Sequence, residues 1–167
     1  MSAETTVKHK FLEGANMTFQ EVFDFAYHCF PVWQDLAKEL GEDHFLEALK
    51  KVAFEAALKA GQDTARILPC NDFAAFTDLE RKPIYFDERV LTFEIIEDTP
   101  QAFEVKITEC LWAKTFRKMG MSKMGYLLIC YPDYARCQGF NPRITLTRSK
   151  TLMLGDDCCN HRWVWGG

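Results

Sequence analysis

The 167-residue sequence has no Cys-x-x-Cys pair, no apolar run near the roughly 18 residues that span a bilayer, no basic stripe and no internal repeat. Each absence excludes a class of protein. Without paired spacing, the seven cysteines (Cys29, Cys70, Cys110, Cys130, Cys137, Cys158 and Cys159) read as free thiols, not as a zinc ribbon or a disulfide frame. The 20 basic residues are scattered among 24 acids, for a net charge of -4, which argues against nucleic acid as a partner. The opening "MSAETTVKHKFLEGANM" lacks the apolar centre of a signal peptide, and no segment suits a membrane. The expected location is therefore the reducing cytoplasm.

What is present is apolar and aromatic. A chain with 48% hydrophobic and 14% aromatic residues builds a substantial core. At this length roughly 70% of the unfolded surface is buried, so stability requires neither a disulfide nor a structural metal. We divide the chain into a polar N-terminal arm, residues 1–16, and one domain, residues 17–167.

Thr18 and Glu21 stand at capping-box spacing ahead of Val22, Phe25, Ala26 and Cys29, which predicts a helix that is interrupted at Pro31 and ends at Gly41. A second helix is expected from an Asp43 cap to Gly61, with Leu46, Leu49, Val52, Ala53 and Ala56 inward. "NDFAAFTDLE" predicts a short helix capped by Asp72, and Pro83 marks a change of period. Leu91, Phe93 and Ile95, then Phe103, Val105 and Ile107, alternate with polar residues around the turn "EDTPQ", as in a hairpin with one buried face. Helical spacing returns from Cys110 to Phe140, broken at Gly120, Gly125 and Pro132, and the last third reads as two or three strands. The expected fold is α+β, with N-terminal helices packed on a small antiparallel sheet of about four strands.

The stretch "GDDCCNHRW", residues 155–163, concentrates the most reactive side chains. Strand alternation puts Cys159, His161 and Trp163 on one face, with His161 placed to act on the Cys159 thiol. The competing reading is a core cysteine beside a core histidine, and Asp156 and Asp157 also suit a turn. A zinc site from Asp156, Cys158, Cys159 and His161 is the weaker alternative, since no second ligand pair stands at a recognised spacing. Otherwise no cofactor is expected. Cys110 falls where a strand passes into a helix, and a helix N-terminus favours a thiolate. Asp133 follows Pro132, which argues for an acid presented at a helix break.

The series "ECLWAKTFRKMG" and "CYPDYARCQGFNPRITLTRSKTLMLGDDCCNHRW" resembles the L-2-amino-thiazoline-4-carboxylic acid hydrolase family. The similarity rests on Glu109-Cys110 with Trp112, Cys130 with Asp133, Phe140 with Pro142, the "TLMLGD" approach, and Cys159 followed by His161-Arg162. It implies hydrolytic opening of a 2-aminothiazoline ring to N-carbamoyl-cysteine, a step on a bacterial route to cysteine. The amidine carbon needs a nucleophile, a proton donor for the leaving sulfur, and a cation for the substrate carboxylate. Cys110 or Cys159 can attack directly, with His161 as partner, or Asp133 or Asp156 can activate water. Arg162, Arg143 or Arg148 can hold the carboxylate, while Glu109, Asp156, Trp112 and Trp163 complete the substrate contacts. The alternative function is a non-catalytic sensor resembling 4-vinyl-reductase-type domains, which holds a small ligand. In either reading the partner is a small molecule, and the aromatic-rich strands leave a homo-oligomer open.

Overall fold

The computed structural model describes residues 6–7, 17–18, 21, 23–24, 28–81 and 90–166. Two short strands, β1 (Thr6–Val7) and β2 (Met17–Thr18), pair with each other. Helices α1 (Phe30–Leu40), α2 (Glu42–Ile67) and α3 (Phe73–Arg81) precede the main sheet. A hairpin of β3 (Leu91–Asp98) and β4 (Ala102–Cys110) leads into α4 (Leu111–Lys118). Beyond α4 come α5 (Ser122–Gly125), a π-helical turn at Tyr126–Cys130, and α6 (Pro132–Phe140). The chain closes with β5 (Ile144–Thr147), a 3-10 turn at Leu152–Leu154, and β6 (Cys159–Trp165). The four long strands form one antiparallel sheet in the order β3-β4-β6-β5. The α+β fold expected from the sequence is the fold observed.

Alternation decides which face of the sheet is covered. Phe103, Val105 and Ile107 of β4 pair across the ladder with Trp163, His161 and Cys159 of β6, and all six side chains are buried. Phe73 and Phe76 of α3 and Cys137 and Phe140 of α6 pack on this face as one cluster. The opposite face is charged, with Arg162 between Glu97 and Glu104 at 2.9 and 3.6 Å. A half-wet antiparallel sheet has this two-sided pattern. A second cluster, with Phe30, Phe116, Met124 and Met153 at its centre, packs α1 against α4, α5 and the 3-10 turn. Leu91, Cys110 and Leu152 touch both clusters and so mark the seam between them.

Several local expectations change in three dimensions. Gly61 does not end α2, which continues to Ile67. Its role is close approach: a Cβ on Gly61 would collide with the Arg136 carbonyl, and one on Gly139 with the Leu58 carbonyl. The two glycines let the backbones of α2 and α6 touch, and a side chain at either position would force the helices apart. Helix α2 begins at Glu42, one residue before the expected cap, because Gly41 at φ +86° makes the turn out of α1. Ile95, expected inward, is 47% exposed, since a bulge between Ile95 and Glu97 breaks the alternation of this edge strand. The Asp72 cap is present, with its carboxylate accepting the Ala75 N–H at 2.9 Å. The expected arm at 1–16, the helix opening on Thr18 and the boundary at Pro83 lie wholly or largely outside the described residues. Among the described residues no helix is long and apolar enough to cross a membrane.

Substituting Gly61 or Gly139 by alanine is expected to lower unfolding free energy by about 1–3 kcal/mol. Exposed Gln62, next to Gly61 on α2, supplies the control, and its alanine variant should stay within about 0.5 kcal/mol of the parent. Urea titrations of the three variants check both expectations.

Candidate functional site

The seam between the two clusters encloses a cavity of about 70 Å3. One water occupies about 10–15 Å3 on this measure, so the space holds several waters or a small ring. Leu91, Phe93, Phe103, Val105, Ile107 and Ile129 supply its apolar wall, and Trp112 and Trp163 its indole faces. Three thiols, Cys110, Cys130 and Cys159, also line it. The lining also holds five charged or polar side chains: Glu80, Asp133, Arg136, Arg148 and His161.

Arg148 is the centre of that polar side. Its side chain is 2% exposed. Nη1 lies 3.2 Å from Asp133 Oδ2 and 2.7 Å from His161 Nε2, and Nη2 donates to the Cys130 carbonyl at 3.0 Å. The faces of Tyr126 and Tyr134 lie 5.6 and 5.1 Å from the guanidinium carbon. The Cys130 carbonyl is free for this role because the helix changes pitch there. Tyr131 donates five residues back to Tyr126, and Tyr134 donates to Tyr131 instead of Cys130. The same break presents Asp133 at the first turn of α6. Asp133 Oδ1 is also 3.6 Å from Arg136, whose other nitrogen donates to Glu80 at 2.8 Å. The result is an alternating chain, Glu80–Arg136–Asp133–Arg148–His161.

Burial governs the titration of these groups. A guanidinium is always protonated, so Nε2 of His161 must accept from Arg148 and the ring proton sits on Nδ1. Desolvation, reinforced by the charges of Arg148 and Arg136, holds His161 far below its usual value, at about 3. The imidazole is neutral at pH 7. Burial raises Asp133 and Glu80, opposed by the facing arginines. Burial also pushes the Cys110 thiol up to about 11 and Cys130 up to about 12, and it raises Cys159. Cys110 does cap α4, its sulfur accepting the Ala113 N–H at 3.4 Å, but this contact is weaker than the loss of water.

The structure brings together seven of the residues singled out from sequence: Cys110, Trp112, Asp133, Arg148, Cys159, His161 and Trp163 all line the cavity. The other four lie elsewhere. Glu109 accepts from Thr92 at 2.8 Å beside the outer strand, and Arg162 serves the charged face of the sheet. Arg143 donates to the Gly166 carbonyl and stacks over Trp165 at 4.3 Å. Asp156 accepts the Thr151 N–H at 2.6 Å and shapes the turn in which Gly155 takes φ +112°. That turn lays Thr151 and Leu152 against the Cys159 sulfur at 3.8 and 3.2 Å. Cys159 and His161 share a face but bond to different neighbours. The quartet weighed as the weaker, zinc-binding alternative is not assembled: Asp156 and His161 face other partners, and no three His, Cys, Asp or Glu among the described residues group as metal ligands.

Two cavity residues, Glu80 and Arg136, had no signal in the sequence, since their neighbours read as ordinary helix surface. The Trp163 indole N–H is buried with no acceptor among the described residues. An unmet buried donor of this kind costs about 1–3 kcal/mol.

Comparison with known proteins follows from this geometry. The chain matches the L-2-amino-thiazoline-4-carboxylic acid hydrolase family over residues 16–163. No curated protein matches it. Among solved structures it is similar to the phenol-responsive sensory domain of the transcription activator PoxR, determined with phenol. That likeness has a TM-score of 0.51 at 14% identity, and covers 81% of this chain and 71% of that one. It is a likeness of fold.

The neutral His161 has a stability consequence with a definite sign. Its folded pKa lies below the unfolded value near 6.5, so the unfolded chain binds the extra proton between about pH 6.5 and 3. Its contribution is complete above pH 6.5 and is lost as pH falls, by at most about 1.4 kcal/mol per pH unit. His161→Asn keeps an acceptor for Arg148 and removes this proton. Urea unfolding from pH 7 to 4.5 should show the parent losing more stability than the variant, with parallel curves as the contrary result.

Proposed function

The chain belongs to the L-2-amino-thiazoline-4-carboxylic acid hydrolase family, and from that premise we propose that its cavity binds a small cyclic amidine and opens it by water attack assisted by Asp133. The observation that carries the reading is the meeting of a raised, cavity-lining carboxylate with a ring-sized space of largely apolar walls. A carboxylate with a raised pKa is a stronger base, and a site that excludes bulk water strengthens each polar contact.

In the proposed step, water attacks the carbon between the ring sulfur and the two nitrogens while Asp133 takes its proton. The remaining hydroxyl proton moves to the ring nitrogen as the carbonyl forms, the carbon–sulfur bond breaks, and the Asp133 proton passes to the leaving sulfur. The product is a carbamoylated amino thiol, N-carbamoyl-L-cysteine when the substrate is L-2-amino-thiazoline-4-carboxylate. Arg148 and Arg136 hold Asp133 in place from either side, at 3.2 and 3.6 Å. Attack by Cys110 or Cys159 is the less favoured route, because burial keeps both thiols protonated. His161 positions Arg148 and carries no proton on the nitrogen that faces it.

A second reading is ligand binding without turnover. The predominantly apolar wall and the protonated thiols support it, as does likeness to a domain that responds to phenol.

Mass spectrometry of the protein incubated with L-2-amino-thiazoline-4-carboxylate, following N-carbamoyl-cysteine, tests the proposal. The parent should form product, Asp133→Asn should slow it by about 100-fold or more, and Cys110→Ser and Cys159→Ser should retain most of the rate. Loss confined to a cysteine variant transfers the nucleophile to that thiol. Calorimetric binding with no product from the parent replaces hydrolysis by the ligand-binding reading.

A further inference from the structure

Two observations at the cavity constrain what can occupy it. The first is the charge balance of its polar side. Glu80 and Asp133 face Arg136 and Arg148 in alternation, at 2.8, 3.6 and 3.2 Å, so two formal positive charges meet two negative ones. Arg148 is further engaged by His161 and the Cys130 carbonyl. A ligand with a net charge would enter an apolar space with no surplus counter-charge, and burying an unpaired charge is strongly unfavourable.

The second observation is the orphan donor. Trp163 is 3% exposed and lines the cavity, yet its indole N–H has no acceptor among the described residues. Its ring is fixed on three sides by His161 at 5.4 Å, Phe76 at 5.9 Å and Phe103 at 6.0 Å. A donor held so firmly and left unmatched in a packed core is suited to an acceptor that arrives with a ligand.

We propose that Trp163 is a specificity-determining residue: its indole N–H donates to an acceptor atom of the bound molecule, and the cavity selects small planar rings with no net charge. The inference rests on the reading of this cavity as the ligand site and adds the ligand class and the group that recognises it. A ring carrying one carboxylate and one amidinium has no net charge, and it fits where each group faces the opposite charge of the Glu80–Arg136–Asp133–Arg148 array.

Four planar probes of nearly equal size separate the contributions. Benzamide is neutral with an acceptor, benzoate is anionic, benzamidinium is cationic, and α-methylstyrene is neutral with no acceptor. In calorimetric titrations of the full chain, benzamide should bind at least about tenfold more tightly than benzoate or benzamidinium. Trp163→Phe should weaken benzamide by about tenfold and leave α-methylstyrene nearly unchanged. In a spectrum of protein labelled with 15N-indole tryptophan, benzamide should shift the Trp163 N–H resonance most among the four tryptophans. Should Trp163→Phe fail to fold, Trp33→Phe, Trp112→Phe and Trp165→Phe identify that resonance by elimination.

A charged probe binding as tightly as benzamide, or a Trp163 resonance that benzamide leaves in place, overturns the proposal. If the parent turns over L-2-amino-thiazoline-4-carboxylate and Trp163→Phe leaves KM unchanged, the role of Trp163 fails while the cavity remains the site. Absence of both turnover and binding of every probe overturns the cavity reading and this inference with it.

Discussion

A guanidinium that is 2% exposed sets the terms for the rest of this structure. Arg148 cannot lose its proton, and an uncompensated charge at this depth would cost several kcal/mol, so its surroundings must supply acceptors on every side. They come from three places far apart in sequence: a carboxylate at the start of α6, a ring nitrogen in the middle of β6, and a backbone carbonyl released by the π turn. The irregular helix at Tyr126–Cys130 is thus explained by what it delivers. A regular helix would have consumed the Cys130 carbonyl in its own ladder. A proline at 132 makes the departure inexpensive.

The same burial that demands pairing also determines reactivity. Cys110, Cys130 and Cys159 look reactive as residue types, yet they face a wall of leucine, valine, isoleucine and phenylalanine that disfavours thiolate. Asp133, in the same cavity, lies between two arginines, and burial raises its affinity for protons. One buried environment therefore disfavours the thiolates and raises the carboxylate. The cavity exists because two aromatic-rich clusters meet without fully interpenetrating, and Leu91 and Cys110 belong to both.

Much of the frame was legible in the chain because it obeys local rules. Period-two alternation around 103–107 and 159–163 gave the buried face of the sheet, and with it the shared face of Cys159, His161 and Trp163. The Asp72 cap and the break at Pro132 were likewise visible. Gly61 was misread as a helix stop, since a sequence records that a side chain is missing and not what occupies its place. Here the occupant is the backbone of α6, more than 70 residues later in the chain.

The sequence by itself determined the α+β class, the inward and outward faces of the strands, and seven of the side chains that reach the cavity. These depend on helical and strand periods, which are short-range properties. Tertiary structure alone decided that Arg148 would be the charged centre and Arg143 and Arg162 would serve other surfaces. It also brought Glu80 and Arg136 from separate helices into one ion-paired array, and left the Trp163 N–H without an acceptor among the described residues. Charge pairing and desolvation act through space, and their partners are chosen by the packing of helices on the sheet, so no window of the sequence contains them.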